Sequence, residues 1–364
     1  MRPLRVVVAG GGTGGHLYPG IAVARELVRR EPEAQISFAG TKRGIESRVI
    51  PREGFPLDVL RSVGIRGASP VAYAKGVALI PLSLADAWRI LSRRTPDVVV
   101  GVGGYSSGPV VLAAVLRRIP TLLLEQNAVP GLTNRSLARL VDAAAVTFEE
   151  TVTYFGRRGF VTGNPVRAEF LESSDDAAGT SAHRGATRVL IFGGSQGAHA
   201  INMAMVEAAP KLAARHGGLA ITHQTGERDL EHVRDSYRKS GLQARVEPFL
   251  FTMDREIKIA DFVVSRAGAT TLAELTAAGK PAVLIPLPTA ADDHQRKNAE
   301  VLARAGAAEV LEQRMLTGDR LAERILALAS DVGRRQAMGR AARTLAKPHA
   351  ARDIADRVLV LAGR

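Results

Sequence analysis

The sequence predicts an α/β protein made of two doubly wound domains, each around a parallel sheet. Three observations predict it. The chain has 364 residues, more than one ordinary hydrophobic core accommodates. Short apolar runs alternate with alanine- and leucine-rich helical stretches along its length, the pattern of strands joined by helical crossovers. Several runs, such as Val98–Val102 and Val189–Phe192, are apolar on both faces, as parallel strands covered by helices on each side require.

Taken in order, strands are expected at Arg5–Ala9, Gln35–Ala39, Val98–Val102, Thr121–Glu125 and Ala143–Val146, then at Val189–Phe192, Ala220–His223, Phe262–Ser265 and Ala282–Ile285. A repeat accompanies them. Arg5-Val-Val-Val-Ala-Gly-Gly-Gly-Thr-Gly-Gly-His16 is similar to Arg188-Val-Leu-Ile-Phe-Gly-Gly-Ser-Gln-Gly-Ala-His199, 183 positions later. Two strand–glycine-loop–helix openings half a chain apart predict twin Rossmann-like domains facing each other across a cleft. A short strand ending in the turn Gly163-Asn164-Pro165 marks the boundary, so the domains are expected at 1–164 and 165–345. Glu172–Arg184 reads as a polar surface loop. Ala351–Leu361 has helical apolar spacing, and its pattern leaves open which domain it joins.

Composition narrows the function. With no cysteine, disulfides and thiolate metal sites are excluded. The formal charge of +13 suits an anionic partner, or simply a basic proteome. Five tyrosines and one tryptophan provide few stacking platforms for single strands, so nucleic acid is not the expected partner. The longest apolar stretch, Val77–Leu91, is interrupted by Pro81, Ser83, Asp86 and Arg89 and does not read as a membrane span. The apolar run Val6–Ala9 is too short for a signal-peptide core.

The first glycine loop contains G-x-G-x-x-G at Gly10, Gly12 and Gly15. A dinucleotide site also wants a carboxylate at the end of the second strand. Here that strand runs into Gly40-Thr41-Lys42-Arg43, which disfavours NAD and leaves a 2′-phosphate site open. The general meaning remains: glycines let amides at a helix N-terminus approach an anion. His16, just after the loop, reads either as a base near neutral pH or as a capping or packing histidine. Gly193-Gly194-Ser195-Gln196-Gly197 offers backbone donors and a hydroxyl at the equivalent point of the second domain. Gly268 to Thr271, after another strand, would start a helix whose dipole suits a diphosphate. Glu274, one and a half turns further on, is placed for a ribose diol; the alternative is a solvated helix charge. Asp292 and Asp293 read as capping residues rather than metal ligands, in a loop where amides meet sugar hydroxyls. Gly103, Gly104 and Tyr105, with Glu125-Gln126-Asn127, end two further strands and are expected to line the acceptor side. Ile65–Arg94 mixes apolar residues with Arg66, Lys75, Arg89, Arg93 and Arg94. That mixture fits shallow membrane insertion or a helix packed on the sheet, and composition favours the latter.

Gly11–His16, Gly103–Gly108, Glu125-Gln-Asn127, Gly163-Asn-Pro-Val-Arg167, Gly193–Gly197 and Arg266–Glu274 occur in the order found in the MurG family, the N-acetylglucosaminyltransferases that convert lipid I to lipid II. The chain resembles that family over nearly its full length. The resemblance implies a GT-B fold, with lipid I on the N-terminal domain, UDP-N-acetylglucosamine on the C-terminal one, and the helix 346–364 crossing back to the first domain. It implies donor contacts from Thr13, Gly14, Gly15, Asn127, Arg167, Ser195, the Leu250 backbone, Gly268, Ala269, Thr270, Thr271, Glu274 and Gln295, with His16 as general base. It also implies that Ile65–Arg94 docks on an anionic membrane, reversing the compositional reading, at the cytoplasmic face of the bacterial inner membrane. Cell-wall synthesis proteins are possible partners. No metal is expected to be held by the protein, though a divalent cation can accompany the substrate diphosphate. Ala267 stands where the family often has serine, which would remove one hydroxyl near the diphosphate. The competing readings are a UDP-N-acetylglucosamine epimerase of the same fold, an NADP-dependent reductase and a basic membrane- or nucleic-acid-binding module.

Overall fold

The computed structural model describes residues 2–42, 44–62, 78–171, 185–194, 197–214 and 218–364, apart from the side chain of Ala168. It divides into two compact units, Met1–Arg167 with Lys347–Arg364, and Ala168–Ala346.

The first unit holds β1 (Arg5–Gly10), β2 (Gln35–Gly40), β3 (Leu57–Val59), β4 (Val98–Gly103), β5 (Thr121–Glu125), β6 (Ala143–Val146) and β7 (Gly159–Val161). They form one sheet in the order β3-β2-β1-β4-β5-β6-β7, paired in parallel throughout. The second unit holds β8 (Thr187–Phe192), β9 (Leu219–Gln224), β10 (Ala244–Glu247), β11 (Phe262–Ser265), β12 (Ala282–Leu284) and β13 (Ala308–Val310), ordered β10-β9-β8-β11-β12-β13 and again parallel. In each sheet the opening strand is followed outward on one side, then the chain returns to build the other. The strand order therefore reverses between β1 and β4 and between β8 and β11. Connecting segments diverge at such points, and ligands bind beyond the carboxyl ends of the two strands. Both halves of the sequence repeat sit at these reversals.

Side-chain alternation along β1 feeds two cores. Val6 and Val8 join Leu17, Ile21, Phe38, Val100 and Leu122 on one face, while Val7 and Ala9 join Val99, Leu123, Val110 and Leu91 on the other. The first of these cores also contains Ile354, Ala355 and Val358 from the helix Ala350–Leu361. Burying each of the two larger side chains contributes about 1.5–3 kcal/mol. Arg30 pairs with Asp356, and Arg364 Nη1 reaches Glu31 Oε2 at 3.1 Å. In the second unit Val189 and Ile191 pack with Ile201, Met205 and Ala208 and with Leu321 and Ile325.

Four strands lie beyond the nine expected spans, and β7 among them is the short strand foreseen before Gly163. β3, β10 and β13 have three or four residues, and all four lie at sheet edges, where short segments carry little pattern. Of the proposed membrane segment Ile65–Arg94, residues 65–77 lie outside those described. The rest forms the helix Ile80–Arg94, which buries Ser83, Ala87, Ile90 and Leu91 and exposes Ile80, Leu82 and Trp88. Its cations are partly committed internally: Arg93 pairs with buried Asp58, and Arg94 Nε meets the same carboxylate at 2.7 Å.

Candidate active site

At the first reversal two glycine turns pack backbone against backbone. β1 shifts register against β4 between Ala9 and Gly10, and the chain then turns with φ of 86° at Gly12 and 92° and 80° at Gly103 and Gly104. A β-carbon on Gly10 would stand 2.5 Å from the Gly103 carbonyl oxygen, and one on Gly104 2.6 Å from that of Gly11. Only glycine permits both the positive φ and the approach. The turn delivers Thr13 as N-cap of the helix Gly14–Arg30, its carbonyl accepting from His16 N at 3.3 Å and Leu17 N at 3.2 Å. His16 lies half-buried in the first turn, Nδ1 3.1 Å from Thr13 Oγ1. Its ring edge lies against Gly103, where a β-carbon would come within 2.8 Å of Cδ2. Tyr105 flanks Gly12, its Cε1 3.4 Å from where that residue's β-carbon would be. Gly14 packs on the ring of Tyr18, over which the Arg167 guanidinium lies at 5.6 Å. Arg167 is the last residue of the first unit before the chain enters the second.

Glu125, the last residue of β5, is buried and organises the neighbouring loop. It accepts from Asn127 N (3.0 Å), Asn127 Nδ2 (3.3 Å), Gly131 N (3.1 Å) and Asn134 Nδ2 (2.9 Å). Burial pushes its carboxyl above the usual range, with these four donors pulling the other way. The Asn127 side chain is thereby held by an internal acid. Gln126 turns inward, donating to the Val102 carbonyl at 3.1 Å.

In the second unit, Gly193, Gly194 and Gly197 follow β8, while Ser195 and Gln196 lie outside the described residues. Gly197 has φ 75°, and a side chain there would overlap the Thr225 carbonyl. Gln224 joins this loop to the next, donating to Gly194 O and accepting from Leu250 N, both at 2.8 Å. The Leu250 amide is thus engaged within the protein. Gly268 N-caps the helix Ala269–Ala277. Among the described residues, a β-carbon on Gly268 would meet only Thr271 Oγ1, at 3.9 Å, so the backbone at Gly268 is open to close approach from them. Glu274 is buried at 7% exposure and is not a solvated helix charge.

Gln295 Oε1 accepts from Ala267 N at 3.3 Å and Leu287 N at 3.0 Å, clasping the segments that follow β11 and β12. Arg266 fastens the same ends, donating through Nη1 to Ile285 O at 3.0 Å and through Nη2 to Gln313 Oε1 at 2.7 Å. Burial lowers its guanidinium to about 10. Two expectations are corrected here. The Ala267 side chain is fully buried, so a hydroxyl at this position would face the interior rather than a diphosphate. Asp293 holds the N-cap position of the helix His294–Arg304 but makes no side-chain cap bond; it and Asp292 both have positive φ, 57° and 53°. Asp293 pairs with Arg296 instead.

Residues without a motif complete the site. Glu46 sits beneath the first glycine loop, bonded to Gly12 and Thr41. Asn202 donates to Thr225 O at 2.9 Å and Asp229 Oδ2 at 2.7 Å, and meets the buried His223 Nε2 at 3.1 Å. Apart from Glu46 and Thr41, the partners lie 21 to 34 residues apart in sequence. Among the described residues, no three His, Asp or Glu side chains gather as a metal site.

Residues 6–146 match the glycosyltransferase family 28 N-terminal domain and residues 188–358 the glycosyltransferase family 28 C-terminal domain. The chain belongs to glycosyltransferase family 28. A relative from Anaeromyxobacter dehalogenans (strain 2CP-C), named UDP-N-acetylglucosamine–N-acetylmuramyl-(pentapeptide) pyrophosphoryl-undecaprenol N-acetylglucosamine transferase, is 49% identical over 99% of this chain and 94% of its own. One of the same name from Geobacter sulfurreducens is 47% identical over 98% of each. The crystal structure of Acinetobacter baumannii MurG superposes with a TM-score of 0.79 at 32% identity, covering 98% of this chain and 100% of its own. This family 28 member therefore has the GT-B fold of two Rossmann-like units. A UDP-N-acetylglucosamine 2-epimerase structure shares that fold at 14% identity, TM-score 0.72, with 100% of this chain and 97% of its own covered.

Proposed function

We propose that this protein transfers N-acetylglucosamine from UDP-N-acetylglucosamine to the muramyl 4-hydroxyl of undecaprenyl-diphosphoryl-N-acetylmuramoyl-pentapeptide, lipid I, to give lipid II for peptidoglycan synthesis and hence for cell shape and division. The observation that carries this reading is the end-to-end identity of 49% with a transferase so named, far above the 14% to the epimerase. The domain roles assigned are acceptor binding to residues 1–164 with 346–364, and donor binding to 165–345.

The reaction forms a bond from the acceptor oxygen to the anomeric carbon as the bond to the UDP oxygen breaks on the opposite face, inverting the centre. The hydroxyl proton goes to His16 and the electron pair leaves with UDP. For His16 to act as base, Nδ1 carries the hydrogen and donates to Thr13 Oγ1, which makes Nε2 the basic nitrogen. Departing charge is met by amides at the helix start Gly268–Thr271, assisted by the Ser195 hydroxyl. Glu274 accepts from the ribose, and the Gln295 amide and Asn127 meet the sugar. Gly103, Gly104 and Tyr105 support the acceptor. A divalent cation, if one takes part, arrives with the substrate diphosphate. The exposed Ile80, Leu82 and Trp88 support docking to an anionic membrane surface, at the cytoplasmic face of the inner membrane, where lipid I and other cell-wall enzymes are met.

The test is transfer of labelled N-acetylglucosamine from UDP to a lipid I analogue, with UDP-glucose and UDP-galactose as controls. Labelled lipid II forming only from the N-acetylglucosamine donor is the expected result. Epimerisation of the donor without acceptor would overturn it.

A further inference from the structure

We infer that Glu46 is a positioning residue for this transfer, a buried carboxylate that sets the first glycine loop and through it the Thr13–His16 turn. The inference rests on the reaction proposed above. Glu46 is 0% exposed. Its Oε2 accepts from Gly12 N at 2.8 Å, and its Oε1 accepts from both the amide and the hydroxyl of Thr41, each at 2.8 Å. Thr41 Oγ1 in turn accepts from Gly44 N at 3.2 Å, tying the end of β2 to the turn that carries Glu46.

Three glycines make room for this one side chain. A β-carbon on Gly11 would lie 2.6 Å from Glu46 Cδ, one on Gly40 2.7 Å from its Cγ, and one on Gly44 would overlap the carboxylate itself. Burying a carboxylate costs several kcal/mol unless charge-assisted hydrogen bonds compensate. Here one of the three compensating donors, the Gly12 N–H, comes from the loop that presents the proposed base, and the other two come from Thr41.

The Gly12 N–H is given to this internal carboxylate. Thr13 follows directly. Its carbonyl accepts the His16 amide, and its hydroxyl meets His16 Nδ1. Movement at Gly12 is therefore transmitted to the imidazole in one step of chain, and displacements of about 1 Å at a reacting group cost on the order of 100-fold in rate.

The test is a double-mutant cycle on the full chain. Glu46→Gln keeps the volume but removes the charge and turns an amide N–H₂ toward a donor. It is expected to lower kcat about 10- to 100-fold while the UDP dissociation constant stays within about twofold. In a His16→Ala background the same change is expected to cost under about threefold, because no imidazole remains to misplace. Equal losses in both backgrounds, or an unchanged kcat, would overturn the role. Should Glu46→Gln not fold, Glu46→Asp, which keeps the charge but shortens the reach, runs through the same cycle. A wild-type protein that transfers no sugar overturns the reaction instead. The role of Glu46 is then read from the ring signals of ¹⁵N-histidine-labelled protein, where Glu46→Gln moves those of His16 and leaves those of His223. Unmoved His16 signals count against it.

Discussion

Gln224 Oε1 accepts the backbone N–H of Leu250 at 2.8 Å while its Nε2 holds the Gly194 carbonyl. One buried amide thus fixes two loops assigned to the donor. Gln224→Ala leaves both backbone groups unpaired, at about 1–3 kcal/mol each when buried. UDP affinity measured by calorimetry is expected to weaken by about tenfold, with a lower melting temperature. Unchanged affinity would mean that neither loop touches the nucleotide.

Thr13 Oγ1 orients His16, so Thr13→Val is expected to lower kcat by about tenfold and His16→Ala by about 10²–10⁴-fold, the latter with UDP affinity nearly intact. Steady-state transfer assays beside UDP titrations check this. Activity within twofold of wild type for His16→Ala removes the base assignment.

Ala267→Ser places a hydroxyl where the structure has no exposure, beside an amide already given to Gln295 and a carbonyl already met by Asn298 Nδ2 at 3.3 Å. The expected result is no gain in UDP affinity and a stability loss of up to about 1–3 kcal/mol. Tenfold tighter UDP binding would contradict the inward direction of this side chain.

His223 makes acid stability measurable. Burial holds its imidazole down to about 3 from 6.5, with the Asp229 charge opposing weakly. Between those values the unfolded chain binds a proton that the native state does not. Stability is therefore unaffected above about pH 6.5 and falls as pH drops toward 3, by about 1.4 kcal/mol per unit. Urea midpoints at pH 7.5, 5.5 and 4.5 should show this decline, flattened in His223→Gln. Parallel pH curves for the two proteins would show that the loss arises elsewhere.

Much of this molecule was legible because its chemistry is local in sequence. A strand, a glycine turn and a helix start are contiguous, so the openings at Gly10 and Gly193 and the helix at Gly268 declare themselves. Position alone also put His16 at the reversal of strand order. What escaped is long-range. Glu46 meets Gly12 across 34 residues, and Asn202 meets Thr225 across 23. Nothing in the residues near a lone glutamate or asparagine announces a partner so far away. Ala267 misled for a related reason: its neighbours bind phosphate in the family pattern, but a side chain's direction depends on the turn that holds it. Asp293 looked like a capping side chain because residue type was visible and φ was not.

The helix Ala350–Leu361 sets an order of events during synthesis. Ile354, Ala355 and Val358 complete a core begun by Val6 and Leu17, so that core cannot close until the segments on both sides of the unit 168–346 have been made. The unit 168–346, continuous in sequence, has no such dependence. The usual amino-to-carboxyl order of folding is expected to be reversed between these units, and a nascent chain stalled before residue 350 is expected to display one finished unit and one with its interior still exposed to chaperones.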